Sequence, residues 1–313
     1  MDIHLALSAV EVADLPEVDR ALRTWQVEGE PLQLHPGDVG WGCRRGVEKT
    51  VAALRTWRTS GGEGRTPGRL VAVGFLDEPG LLRLALAPDV AADEAVARVV
   101  AADLADPARG VLADGEAFVE APVGAAVHTA LASLGWGEDE AWTPLHRDLS
   151  APVEEPGVRV EVVGADRQSD WSSVLRAAFS NISLDDAQMR RRWLAMHEAP
   201  AARDSRSLVV YDDRSAPAAA AAAWSAGPGR PGLLEPVGVH PGHRGHGYGR
   251  AVSLAAACAL QELGSSSATV CTPSSNVAAA ATYASAGFGS EPERRDRRRA
   301  ALMGISHAVL SQS

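Results

Sequence analysis

"VHPGHRGHGYGR", residues 239–250, sets glycines at 245, 247 and 249 between Arg244 and Arg250, just after a proline. Glycine at that density lets the main chain approach something closely. The stretch before it, "GLLEPVGVHP", reads as a strand. The stretch after it, "RGHGYGRAVSLAAACALQELG", continues as a helix of about four or five turns. A glycine loop between a strand end and a helix start gathers unpaired N–H groups and the positive end of the helix dipole. Phosphate oxygens can reach the main chain at Gly245, Gly247 and Gly249, and Arg244 and Arg250 can add charge-assisted contacts. The loop should therefore hold a pyrophosphate. A Walker A loop would end Gly-Lys-Ser/Thr, and here the end is Gly249-Arg250-Ala251. The dinucleotide fingerprint spaces its glycines differently and comes early in a parallel unit.

The elements around the loop define an α/β unit. "DWSSVLRAAF" and "DDAQMRRRWLAMHEA" carry apolar residues at helical spacing, with Asp residues as caps. "SLVVYDD" is a short strand ending in a turn. The alanines 218–223 favour helix by propensity, but they lie between Pro217 and a Gly/Pro turn. That is too short for a stable helix, so a strand of small side chains is expected. Pro236 cannot donate to a ladder and marks a bulge or an edge in its strand. "SSATVCT" is a strand, and "NVAAAATYASAG" a helix with Asn276 near its start and Gly287 as its stop. The order α-α-β-β-β-α-β-α puts helices over a mixed sheet.

"RGHGYG", after a strand ending Val-x-Pro, resembles the Arg/Gln-x-x-Gly-x-Gly/Ala signature of the GNAT acyltransferase superfamily. "NVAAAATY" followed by "ASAGF" resembles that family's later Asn-x-x-Ala-x-x-x-Tyr…Gly-Phe motif. The resemblance covers roughly residues 157–300. It implies acetyl-CoA, or another acyl-CoA, as cosubstrate, bound along Arg244, Gly245, His246, Gly247, Tyr248, Gly249 and Arg250. It also implies a V-shaped gap beside the motif strand, where the pantetheine arm pairs like a missing strand. A bulge at Pro236 would help open that gap and free backbone groups of Val237 and Val239. Tyr283, about two turns beyond Asn276, takes the family's usual acid position. Glu235, on the strand beside the acyl site, is the base candidate, acting directly or through water. Asn276 binds the donor, caps its helix, or both. Ala279 is the small residue where helix and cofactor approach.

The whole chain of 313 residues is long enough for two domains. "LSAPVEEPGVRV" (149–160) places a boundary near residue 152. "ALASLGWG" (130–137) and "TYASAGFG" (282–289) lie 152 positions apart, and "PGLLRLALAP" (79–88) echoes "PGLLEPVGVHP" (231–241). Two echoes in one order indicate a duplicated unit. Two tandem GNAT-like domains are therefore expected, 1–152 and 153–313, with the acyl-CoA site in the second. At that offset Leu131 replaces Tyr283 and Gly124 replaces Asn276, and the first copy has no glycine loop. It is read as a degenerate copy that supplies a wall of the acceptor site or the domain interface.

Net charge is −10, which disfavours nucleic acid and leans towards a cationic acceptor. Cys43, Cys258 and Cys271 read as reduced, cytoplasmic thiols. The N-terminus has no basic n-region, so no signal peptide is expected. No apolar run approaches the roughly 18 residues of a membrane span. His240, His243 and His246 recur every third residue, but with no carboxylate or Cys beside them no metal is expected. "RRR" (190–192) is read as a solvated helix face, and "ERRDRRR" (293–299) as a salt-bridged surface strand.

The leading expectation is an acetyl-CoA-dependent N-acetyltransferase acting on a primary amine of a small molecule, as monomer or homodimer. Tandem GNAT proteins of this plan exist, mycothiol synthase among them, and a mycothiol-synthase-like enzyme is one alternative. A CoA-binding sensor or scaffold without turnover is another, against which Tyr283 argues.

Overall fold

Along the first half run β1 (Leu5–Ala9), α1 (Leu15–Trp25), α2 (Pro36–Gly42), α3 (Val47–Ala52), β2 (Leu54–Thr59), β3 (Leu70–Glu78) and β4 (Leu81–Leu86). Then come α4 (Glu94–Ala105), β5 (Ala117–Glu120), α5 (Ala126–Ser133) and β6 (Gly137–Asp148). The second half runs β7 (Val160–Val162), α6 (Gln168–Ala178), α7 (Asp186–His197), β8 (Ser205–Tyr211), β9 (Pro217–Ser225) and β10 (Gly232–Val239). It ends with α8 (Tyr248–Glu262), β11 (Ser267–Pro273), α9 (Val277–Ser285), β12 (Gly289–Ser290) and β13 (Arg294–Arg299). The computed structural model describes residues 4–60, 68–179 and 182–301.

The alanine run is a strand, as its length requires. Its side chains alternate between two buried faces. Ala219, Ala221 and Ala223 pack with Ala251, Ala255 and Ala256 of α8. Ala220, Ala222 and Trp224 face the layer of α6 and α7, with Trp171 and Trp193. Methyl side chains on both strand and helix let α8 lie close to the sheet.

The described strands form one mixed sheet in the order β1-β2-β3-β4-β5-β13-β6-β11-β10-β9-β8-β7, with β12 pairing β6. Each half gives its last strand to the other. β6 runs antiparallel to β11 from Asp148↔Ser267 to Trp142↔Pro273. β13 inserts between β5 and β6. This corrects the reading of "ERRDRRR" as a surface strand. Arg294 and Asp296 are 7% and 4% exposed and pair at 2.6 Å. The strand is charged yet central, because its neighbours belong to the other half of the chain.

The flaw expected at Pro236 is a bulge. Leu234 pairs with Ala223 and Val237 with Ala221, so Glu235 and Pro236 together oppose Ala222. The Glu235–Pro236 peptide is cis. On its other side β10 pairs with β11 only at Gly232 and Leu233. Beyond Leu233 the two parallel strands part.

Candidate active site

The loop between β10 and α8 presents bare main chain. Gly245 and Gly247 have φ of +79° and +83°, with open space where a Cβ would stand. Backbone N–H groups from Gly245 to Arg250 find no acceptor among the described residues. Ala251 is the first to bond, to the Gly247 carbonyl at 3.0 Å. Such a row of donors at the start of a 15-residue helix suits a polyanion. Gly249 has a different use from the one expected. A Cβ there would stand 2.7 Å from Thr282 Cγ2 and 3.3 Å from Val239 Cγ2, so this glycine lets α8 meet α9 and β10. Arg244 is exposed. Arg250 Nε donates to the Ser285 carbonyl at 2.8 Å, and its Nη2 to Glu154 at 3.1 Å. Tyr248 stacks on His246, with ring centroids 6.4 Å apart.

The corresponding helix of the first half is closed to anions. Asp93 caps α4, its Oδ1 accepting from Ala95 and Val96 N–H at 2.8 and 3.0 Å. A carboxylate already occupies the donors that are bare in α8.

The gap between β10 and β11 opens into a cavity of about 770 Å³ lined by both halves. Val237 and Val239 pair with Ala221 and Ala219 on one side, and no strand covers their other side among the described residues. Asn276 caps α9, its Oδ1 accepting from Ala279 N–H at 3.2 Å. Asn276, Ala279 and Tyr283 line the cavity. The ring of Tyr283 packs on Phe288 at 5.9 Å. Burial pushes its phenol well above the ordinary range, with Glu235 and Cys271 adding to the shift. It stays protonated at neutral pH. Cys271 lines the same cavity, its thiol pushed up to about 12 by burial.

Glu235 is in the cavity but not alone. Its backbone carbonyl accepts from Trp224 Nε1 at 2.6 Å, and its carboxylate lies 3.7 Å from Arg83 Nη2. Arg83 is the residue that stands 152 positions earlier, in β4 of the first half. It also meets Asp77 at 3.1 Å, Asp38 at 3.2 Å and Glu120 at 3.6 Å. Burial drives the Asp38 carboxyl well above its usual range. Arg83 opposes the shift, while hydrogen bonding to Glu235 and its charge reinforce it. Asp38 Oδ1 accepts from Arg83 Nη1 at 3.2 Å and its Oδ2 from His35 N–H at 2.6 Å.

Asp38 escapes sequence reasoning, yet "PGDVGWG" (36–42) carries a signal. A short helix with glycines at 37, 40 and 42 is poor in propensity and implies close approach. A Cβ on Gly37 or on Gly40 would stand 2.6 Å from Trp224. Trp224 therefore seats α2 on the second half, which brings Asp38 to Glu235. His35 caps α2, accepting from Gly37 N–H at 2.9 Å, and its Nε2 meets the Pro231 carbonyl at 3.2 Å.

The three histidines face separate partners. His240 accepts from Gly242 N–H, His243 meets Asp212 at 3.1 Å, and His246 Nδ1 meets the Arg244 carbonyl. Among the described residues no group of three or more His, Cys, Asp or Glu is placed to hold a metal. No described helix is long and apolar enough to cross a membrane.

Residues 170–288, which span α6 to α9 and the glycine loop, match the model of the acetyltransferase (GNAT) family. A GNAT-family domain thus lies within the second half of this chain, at residues 170–288. Solved structures extend the likeness over the first half. A tandem GNAT protein from the clavulanic acid biosynthesis pathway, solved without acetyl-CoA, is 18% identical. The match covers 95% of this chain and 98% of that one with a TM-score of 0.61. A GCN5-related N-acetyltransferase from Sphaerobacter thermophilus is 15% identical, covering 94% and 95%, with a TM-score of 0.56. A GNAT-family acetyltransferase from Colwellia psychrerythraea is also 15% identical, covering 94% and 98%, at 0.56. At these identities the likeness is one of fold: two GNAT-like domains in tandem. No curated protein sequence matches this chain. The bare loop before α8 has no counterpart at α4, whose first N–H groups are taken by Asp93.

Proposed function

We propose that this protein transfers an acetyl group from acetyl-CoA to the primary amine of a small molecule, in a ternary complex. The observation that carries the reading is the run of unpaired N–H groups from Gly245 to Arg250, next to a gap whose wall holds a protonated Tyr283. In this reading 153–313 is the catalytic copy, and 1–152 is a degenerate copy that walls the acceptor side. The loop N–H groups and Arg244 take the pyrophosphate, and the free edge of Val237–Val239 takes the pantetheine arm.

A protonated amine cannot attack a thioester. Glu235 accepts its proton, directly or through water, and the amine nitrogen then bonds to the acyl carbon. As the carbon–sulfur bond breaks, the Tyr283 phenol supplies a proton to the departing thiolate, and the second proton lost by the nitrogen restores the phenol. Arg83, itself held by Asp38, keeps Glu235 in place. A cytoplasmic setting belongs to the same reading, since Cys43, Cys258 and Cys271 are all unpaired thiols.

Calorimetric titration with acetyl-CoA tests the first claim, and free-thiol release with a panel of amines tests the second. One binding site per chain and amine-dependent thiol release are expected. Two equal sites, or binding without thiol release for any amine, would overturn the reading.

A further inference from the structure

The cavity is electrically divided. Around Arg83 stand Asp38, Glu120 and Glu235, on the side of Tyr283. The other side is cationic. Arg44 and Arg45, on the 3-10 turn Cys43–Arg45, pack against α7, which carries Arg192. All three line the cavity. Asp77 is their nearby carboxylate, 4.0 Å from Arg44 and 3.6 Å from Arg45, and it is already engaged by Arg83 at 3.1 Å. Arg45 Nη2 and the Asp77 Oδ1 it faces are both buried without a hydrogen-bond partner, a loose pair. Arg192 is exposed at the mouth and pairs with no carboxylate among the described residues. Arg44 lies over the Trp41 ring at 4.1 Å, which fixes its plane. Burial lowers its pKa to about 10, so it remains charged at neutral pH, and both Glu235 and Arg192 are close enough to act on it.

Half-buried Arg44 and Arg45 share the single carboxylate of Asp77 with Arg83, and Arg192 has none among the described residues, so this end of the cavity suits an anion. The reading of the chain's negative net charge as favouring a cationic acceptor does not extend to this cavity. We propose that the acceptor is a small molecule carrying both a primary amine and an anionic group, carboxylate or phosphate, its anion on Arg44 and Arg192 and its amine towards Glu235. This rests on the acetyltransferase reading and deepens it. The indole rings of Trp41 and Trp171, edge to face at 6.1 Å, give the body of such a molecule an apolar wall.

The test is calorimetry on the full chain saturated with coenzyme A. The probes are α-amino acids, ω-amino acids and aminoalkyl phosphates, each beside its neutralised counterpart: amide, decarboxylated amine or amino alcohol. At least one anionic probe should bind about tenfold or more tighter than its counterpart, the scale of a charge-assisted contact. Comparing the carboxylate and phosphate arms identifies the anion. Arg192→Gln, on an exposed helix surface, should shrink that ratio several-fold. Arg44→Gln should shrink it further.

Thiol release from acetyl-CoA with the same pairs should follow the same preference in kcat/KM. The proposal is overturned if no anionic probe outbinds its counterpart, or if the Arg192→Gln ratio is unchanged. Thiol release with neutral amines at equal or better efficiency would also sink it, leaving acetyl transfer itself intact. Failure of coenzyme A to bind at all would remove both readings.

Discussion

The base role proposed for Glu235 draws on two residues of the other half, Arg83 and Asp38. Arg83 approaches both Glu235 and Asp38, at 3.7 and 3.2 Å. Glu235→Gln removes the proton acceptor and should lower kcat about 100-fold, a typical scale for a general base. Asp38→Asn keeps an oxygen that can accept from His35 N–H, so kcat should stay within about threefold. A large loss in Asp38→Asn, measured by thiol release, would mean that Asp38 works as a carboxylate. Tyr283→Phe should also lower kcat about 100-fold with little change in acetyl-CoA affinity, because the phenol acts on the leaving group. Tyr283 and Glu235 could be singled out through the resemblance to GNAT motifs, and both line the cavity. Asp38 could not, since only packing brings it to the site.

At the scale of elements, α8 and α4 begin differently on the same plan. α8 starts from a glycine at φ +83° and offers its N–H groups, whereas α4 starts from Asp93 and fills them. Glycines two residues apart then predict opposite phenotypes. Gly247→Val strains a positive-φ position and crowds the approach, so acetyl-CoA affinity should fall about tenfold or more in calorimetry. Gly249→Val drives a side chain into Thr282 and should instead lower the melting temperature, at a cost of about 1–3 kcal/mol. Loss of affinity at 249 with unchanged stability would reverse this division. The alanine strand and the bulge at Pro236 followed from length limits and from the missing N–H. The place of β13 did not follow, because its six residues carry five arginines and one aspartate and give no sign of the strands they meet.

For the whole molecule, the exchange of β6 and β13 ties the two halves into one sheet. Neither half holds a complete set of partners, so denaturant unfolding should show one transition by fluorescence and by circular dichroism together. Two separated transitions would mean that the halves are independent. His35, lodged between α2 and the Pro231 carbonyl, couples this unit to pH. Burial lowers its pKa to about 3. Above about pH 6.5 both folded and unfolded chains keep the imidazole neutral, and its contribution to stability is fully present. As pH falls below 6.5 the unfolded chain takes a proton that the folded chain refuses until about 3. Stability should decline by up to about 1.4 kcal/mol per pH unit from this group. His35→Gln should flatten that part of the melting temperature–pH curve.

The amino-acid sequence alone determined the α/β unit, the glycine loop, the duplicated plan and the positions of Tyr283 and Glu235. The unit and the loop are written in residues close together along the chain, where periodicity, capping and backbone freedom act; the duplication came from echoes 152 positions apart, and the two side chains from the resemblance. Tertiary structure decided the strand exchange, the seating of Asp38 and Arg83 at Glu235, and the cationic end of the cavity. These depend on groups from different halves meeting across the sheet. Such meetings are set by packing of Gly37 and Gly40 on Trp224 and by long-range strand pairing, and no local pattern encodes them.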